Sequence, residues 1–144
     1  DGADEIDPDR KRIKGGGGAL LREKIVAYAS ASFVIVADHS KMVDELGISF
    51  PVPVEVIPEA IYIVQKEIEK IGGKPALRLG NKMAVPLMTE NSNCIIDAAF
   101  SGINDPKALE KTLKSIVGVV ESGIFSRPVD HVVLGRQNGE VEVL

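Results

Sequence analysis

The chain has 144 residues, 44% hydrophobic and 26% charged, with a formal charge of −4 from 17 Lys and Arg against 21 Asp and Glu. This is the balance of an ordinary globular chain able to bury roughly two thirds of its unfolded surface, which excludes coiled coil, collagen-like repeat and disorder. No basic run exceeds Arg10-Lys11-Arg12 and no apolar run reaches the roughly 20 residues of a bilayer span, so neither a nucleic-acid surface nor membrane insertion is expected.

In chain order, residues 1–7 (DGADEID) read as an acidic loop; there is no initial Met, and we expect a segment upstream. Lys14 precedes four glycines, Gly15 to Gly18, and then a helix over Ala19–Ser30 with apolar residues at 20, 21, 25 and 28. The run Phe33–Ala37 reads as a strand buried on both faces, as in a parallel sheet, and Lys41–Leu46 as a short helix ending at Gly47. Pro51 and Pro53 mark a domain boundary. Beyond it come a strand at 52–57, a helix at 59–71, strands at 75–79 and 93–100, a helix at 106–116 capped by Asp105, and a strand at 117–124. That order, βαββαβ, is ferredoxin-like. The tail, 131–136 and 140–144 around Gln137-Asn138-Gly139, reads as a hairpin with a type I′ turn that returns to the first sheet. The expected class is α/β: a partial Rossmann-like parallel-sheet domain, residues 1–50 and 125–144, with a smaller ferredoxin-like α+β domain at 51–124.

Lys14 with Gly15–Gly18 ahead of a helix forms a plausible anion cradle, because glycine lets backbone N–H groups approach a ligand and the lysine adds a full charge. A flexible link is the plainer reading. A dinucleotide fingerprint ending at Asp38 is opposed by the charged stretch Asp9–Lys14, too polar for the buried strand that should precede the glycines. Asp1 and Asp4, three apart with Gly2 and Ala3 between, suit a cleft that binds hydroxyls or moves protons, or else a solvated turn; Ala3 and Glu5 do not fit a calcium loop. Glu23, between Arg22 and Lys24, reads on its own as a solvated helix face, and Lys41 lies where open α/β sheets bind ligands. His39 and His131 have no nucleophile partner. Cys94, the one cysteine, is a core residue of a strand and implies a reducing, cytoplasmic setting without a metal site.

DGADEID at 1–7, KGGGGALLREK at 14–24, ADHSK at 37–41, PVPVEVIP at 51–58 and GVVESGIF at 118–125 together resemble type A ribose-5-phosphate isomerase. The resemblance runs through essentially the whole chain and corresponds to the C-terminal two thirds of the family. The family's preceding segment, whose Ser/Thr/Gly-rich loop helps to bind the sugar phosphate, has no counterpart here. The resemblance implies Glu23 as catalytic base, Asp1 and Asp4 as the paired active-site aspartates flanking Gly2 and Ala3, and Lys14 as the active-site lysine. It also implies that Gly15, Gly16 and Gly17 line the substrate and that Lys41 contacts it; His39 falls at a variable position of the motif. The implied reaction interconverts D-ribose 5-phosphate and D-ribulose 5-phosphate through an enediolate, in the non-oxidative pentose phosphate pathway. No metal and no cofactor is expected, because the carbonyl already acidifies the C2 proton. A cytoplasmic homodimer or homotetramer is expected, and the 144-residue chain alone is expected to be weakly active or inactive. A second reading is a non-catalytic sensor of a sugar phosphate or nucleotide, with no turnover for a Glu23 substitution to remove. A third takes the βαββαβ unit at 52–124 as an oligomerisation or small-ligand module.

Overall fold

The computed structural model describes residues 1–80 and 84–144. In chain order its elements are β1 (Glu5–Ile6), β2 (Arg12–Ile13), α1 (Leu20–Ala29), β3 (Val34–Asp38), β4 (Val52–Val56), α2 (Ile61–Lys70), β5 (Lys74–Leu77), β6 (Cys94–Ala99), α3 (Pro106–Ser115), β7 (Val119–Ser122), β8 (Ile124–Phe125), β9 (His131–Gly135) and β10 (Val141–Val143). Single 3-10 turns lie at His39–Lys41 and Pro58–Ala60. No helix among the described residues is long and apolar enough to cross a membrane.

The largest sheet is antiparallel, in the order β5-β6-β4-β7, and is built from the segment read as βαββαβ. Strand alternation sends Val52, Val54, Val56, Ile96 and Ala98 to one face, where they pack with Val64 and Ile68 of α2 and Leu113 of α3. Each such aliphatic side chain contributes about 1.5–3 kcal/mol when fully buried. Pro106 opens α3, and the Asp105 carboxylate accepts the Ala108 N–H at 3.0 Å, the cap expected from the sequence. The opposite face, carrying Glu55, Ile95 and Asp97, is covered by α1 and the glycines before it, which is why β4 is buried along its whole length. Cys94 is buried on the helix-covered side, as expected.

A second sheet, β10-β9-β3, joins the tail to the first half of the chain, with β9 parallel to β3 and antiparallel to β10. Ile35, Val132 and Leu134 pack with Ile6 and Val129 in a separate core. Three expectations are corrected here. β3 is not buried on both faces: Val34 and Val36 are 37% and 60% exposed, because among the described residues a core lies on one side only. The helix over 41–46 is absent, since only the turn His39–Lys41 forms, capped by Asp38. Backbone pairing wins there: Met42 bridges to Ile6, and Val43 donates to the Ile6 carbonyl at 2.9 Å, pulling the segment against β1. The hairpin exists but not with a type I′ turn. Arg136 pairs with Glu140 across three residues, and only Gly139 has positive φ (+87°), the geometry of a type I turn closed by a left-handed glycine.

In the third sheet, β1-β2-β8, β1 and β2 were not legible as strands because they stand in charged stretches. The stretch Asp9–Lys14, judged too polar to be buried, holds β2, with Arg12 only 2% exposed. Its guanidinium lies 5.6 Å from the ring centres of both Phe33 and Phe125 and donates to the Arg10 and Arg127 carbonyls; burial draws its pKa down to about 10. Glu5, in the supposed acidic loop, is also buried and accepts the N–H groups of Gly47, Ser49 and Phe50 at 2.6, 2.6 and 2.7 Å. Glu5→Gln replaces one acceptor by a donor and leaves at least one of these amides unpaired. It is expected to cost about 1–3 kcal/mol, read as a lower denaturation midpoint. The strand expected at 117–124 divides at Gly123, whose N–H bonds the Pro53 carbonyl, so β7 stays in the large sheet while β8 pairs with β2.

Lys24 ties these layers together: its ammonium meets Glu110 at 2.7 Å, Glu121 at 3.0 Å and the Ile124 carbonyl at 2.7 Å. Burial alone would raise the Glu121 carboxyl, but Lys24, Lys114 and the Ser122 N–H outweigh it and hold it below the ordinary value of 4.5. A depressed carboxylate stabilises the fold above the unfolded value and stops doing so as pH falls through the folded one. Melting temperatures measured on the acid side of about pH 4.5 should therefore fall less steeply in Glu121→Gln than in wild type.

Candidate active site

Three neighbouring pieces of backbone converge on one cleft. The loop 1–4 is fixed by the Asp4 N–H, which donates to the Ile13 carbonyl at 2.9 Å. Lys14, leaving β2, is fixed by its own N–H on the Gly123 carbonyl at 2.9 Å. The glycines then turn the chain into α1, where the Glu23 N–H bonds the Ala19 carbonyl and Glu23 sits in the first turn. The cleft so formed, of about 210 Å³, is lined by Asp1, Gly2, Ala3, Asp4, Lys14, Gly15, Gly16, Gly17 and Glu23. These are all of the proposed site residues but one. Lys41 lies in the turn after β3 and does not line the cleft.

The charges inside are arranged around one ammonium. Lys14 is 2% exposed, donates to the Gly2 carbonyl, and has Asp1 at 3.1 Å and Glu23 at 3.7 Å. Burial pulls its pKa below the ordinary 10.5, against the pull of Glu23 and Asp4, which favour the cation. Asp4 turns the other way and accepts the Gly16 N–H at 2.8 Å. A Cβ at 16 would meet the Asp4 Oδ1 at 2.6 Å, so a side chain there would have to displace the carboxylate that accepts the Gly16 N–H. Glu23 is not a solvated helix face: its Oε2 is buried and has no hydrogen-bond partner among the described residues. The clamp on the adjacent Lys24 holds the helix in the rotation that aims Glu23 inward. Arg78 completes the wall from behind, donating to the Gly15 and Gly16 carbonyls at 3.0 Å each while paired with Asp97.

A half-buried carboxylate with one unpartnered oxygen, next to a desolvated ammonium and a glycine loop, can remove a proton from carbon and stabilise the charge left on oxygen. A larger groove of about 690 Å³ lies between α1 and α3, but its lining is mainly apolar around Lys24, whose charge Glu110 and Glu121 already satisfy. The smaller cleft holds the reactive groups.

The family model for ribose 5-phosphate isomerase A (phosphoriboisomerase A) matches residues 1–139. The chain belongs to the ribose 5-phosphate isomerase A family. It is 51% identical over 136 residues to the ribose-5-phosphate isomerase A of Trichormus variabilis, covering 94% of this chain and 58% of that relative. The solved ribose 5-phosphate isomerase A of Methanocaldococcus jannaschii is 46% identical, with a TM-score of 0.93, covering all of this chain and 63% of that one. A D-ribose-5-phosphate isomerase solved in complex with phospho-erythronic acid is 44% identical with a TM-score of 0.96. The chain thus spans about three fifths of the length of the ribose 5-phosphate isomerase A relatives it matches.

Arg78, beside the cleft, and Glu5, which lies outside its lining, both escaped the sequence reading. Glu5 looked like one more acid in an acidic loop, and its only signal was the Ile6 beside it, an apolar residue that marks a strand. Arg78 stands two residues beyond Ala76, which pairs with Asp97, so strand alternation puts Arg78 and Asp97 on one face; that pairing is not visible without the sheet register.

Proposed function

We propose that the protein carrying this chain interconverts D-ribose 5-phosphate and D-ribulose 5-phosphate, with Glu23 as the general base. The observation that carries the reading is Glu23, with an unpartnered Oε2, in the wall of the cleft that also holds Lys14, Asp1 and Asp4. In the open-chain aldose, the Glu23 carboxylate takes the C2 proton; the C–H electron pair forms the C1–C2 double bond, and the C1 carbonyl pair moves onto its oxygen. Lys14 and the loop N–H groups stabilise the enediolate. A proton passes from the C2 oxygen to the C1 oxygen, a transfer that Asp1 or Asp4 assists. The C2 carbonyl then forms as C1 takes the proton back from Glu23. Lys41, in the turn after β3, is the further residue that this reading assigns to substrate contact. No step needs a metal or a cofactor, because the carbonyl acidifies the neighbouring C–H. Residues 1–50 and 125–144 form the catalytic unit in this reading, and 51–124 the unit through which a cytoplasmic homodimer or homotetramer assembles.

The test is conversion of ribose 5-phosphate by the full-length gene product, with and without a chelator, and with phospho-erythronic acid as competitor. Turnover that survives the chelator and is inhibited by the competitor supports the reading. Binding of ribose 5-phosphate without any turnover would favour a sugar-phosphate sensor instead.

A further inference from the structure

We infer that Arg78 is a positioning residue for the glycine loop, turning the Gly17 N–H into the cleft as a donor to the substrate oxygen that becomes negative; this rests on the isomerase reading above. Arg78 directly follows β5, and its backbone N–H is anchored on the Ile95 carbonyl at 2.8 Å. Asp97 of β6 grips the guanidinium from two sides, with Nε to Oδ2 at 2.8 Å and Nη2 to Oδ1. Both side chains are largely buried, at 14% and 22% exposure. The remaining nitrogen, Nη1, then reaches the Gly15 and Gly16 carbonyls together. Arginine suits this role because its donors form a rigid fork, so one face can be held by a carboxylate while another holds backbone.

The consequence follows from peptide geometry. In a trans peptide the C=O and the N–H point in opposite directions, so a carbonyl held by Arg78 sends the next residue's N–H to the far side. For the peptide between 15 and 16 this is visible, since the Gly16 N–H donates to Asp4 at 2.8 Å. For the peptide between 16 and 17 the same constraint turns the Gly17 N–H away from Arg78. That N–H has no partner among the described residues, and Gly17 lines the cleft. The peptide between 15 and 16 is held as well by the Gly18 N–H on the Gly15 carbonyl at 2.9 Å and by Asp4, whereas the peptide between 16 and 17 has Arg78 as its one hydrogen-bond partner among the described residues; rotation there would present the Gly16 carbonyl oxygen to the developing anion. Arg78 and Asp97 come from the four-stranded sheet, so that sheet sets the geometry of a cradle built by residues far from it in sequence.

The experiment is steady-state kinetics on the full-length gene product, with Arg78→Gln, Arg78→Lys and Asp97→Asn beside wild type, each at a temperature where circular dichroism reports it folded. The expected result is a fall in kcat of about tenfold or more in Arg78→Gln with KM changed by less than about threefold, because an oriented N–H acts on the transition state more than on bound substrate. Arg78→Lys, which keeps the charge but not the fork, falls between. If Arg78→Gln does not fold, Arg78→Lys and Asp97→Asn give the same reading of kcat against KM. Folded variants with wild-type kcat, or losses carried by KM alone, would overturn the inference. A wild-type protein without turnover would overturn the isomerase reading itself, and this inference with it.

Discussion

If the proposed isomerase reading holds, Glu23→Gln is expected to lower kcat for ribose 5-phosphate by about 10² to 10⁴ and to leave KM within a few fold, the magnitude of losing one well-placed general base. The substitution keeps the shape of the side chain in the first turn of α1 and removes only its ability to accept a proton. The carboxylate is fitted for that task by two features: Oε1 lies 3.7 Å from the Lys14 ammonium, while Oε2 is buried without a partner. An amide would bring a donor toward a cation that is itself a donor, so binding is expected to suffer slightly and chemistry severely. The measurement is single-turnover and steady-state conversion by the variant in the full-length protein. Unchanged kcat would remove Glu23 from the mechanism.

On the same reading, Lys14→Met is expected to lower kcat by about 10² to 10³, the cost of losing one preorganised group that stabilises charge on oxygen. Lys14 is almost fully desolvated, and this both strengthens its field and brings its pKa below the ordinary 10.5. As pH rises through that lowered value the cation is lost, so the alkaline limb of wild-type kcat should fall earlier than an ordinary lysine would allow. In Lys14→Arg, whose charge persists, the limb should move upward even if kcat is reduced. The stability sign is opposite: a base with a lowered folded value binds fewer protons folded than unfolded, so deprotonation relieves the cost of burying it. Loss of activity over that range with the melting temperature held would assign the limb to the site rather than to unfolding.

The elements that periodicity identified in the sequence are those whose apolar residues repeat cleanly. α2, α3, β4 and β6 bury aliphatic side chains on one face at helical or strand spacing, and the β5-β6-β4-β7 sheet followed from their order. What was lost are the places where polar groups do the work of a core. Glu5, Arg12 and Lys14 are buried because backbone amides, carbonyls and aromatic faces meet their charges, and apart from the Arg10 carbonyl those partners lie far away in sequence. The site shows the same division. Lys14 and the glycines stood out as types suited to an anion cradle, and Asp1 and Asp4 as a pair suited to binding hydroxyls or moving protons. Glu23 did not, since its helix position is that of a solvated residue; only the family resemblance singled it out. Its inward rotation depends on the Lys24 clamp with Glu110 and Glu121, contacts 86 and 97 residues away.

The central claim is that one carboxylate, Glu23, moves a carbon-bound proton, and solvent exchange reads it most directly. Ribose 5-phosphate is incubated with the full-length protein in deuterium oxide while NMR follows deuterium at C1 of ribulose 5-phosphate and C2 of ribose 5-phosphate. The expected result is incorporation at a rate comparable to turnover in wild type, and its loss in a Glu23→Gln protein that still binds the sugar phosphate. Incorporation that continues undiminished in Glu23→Gln would contradict the account.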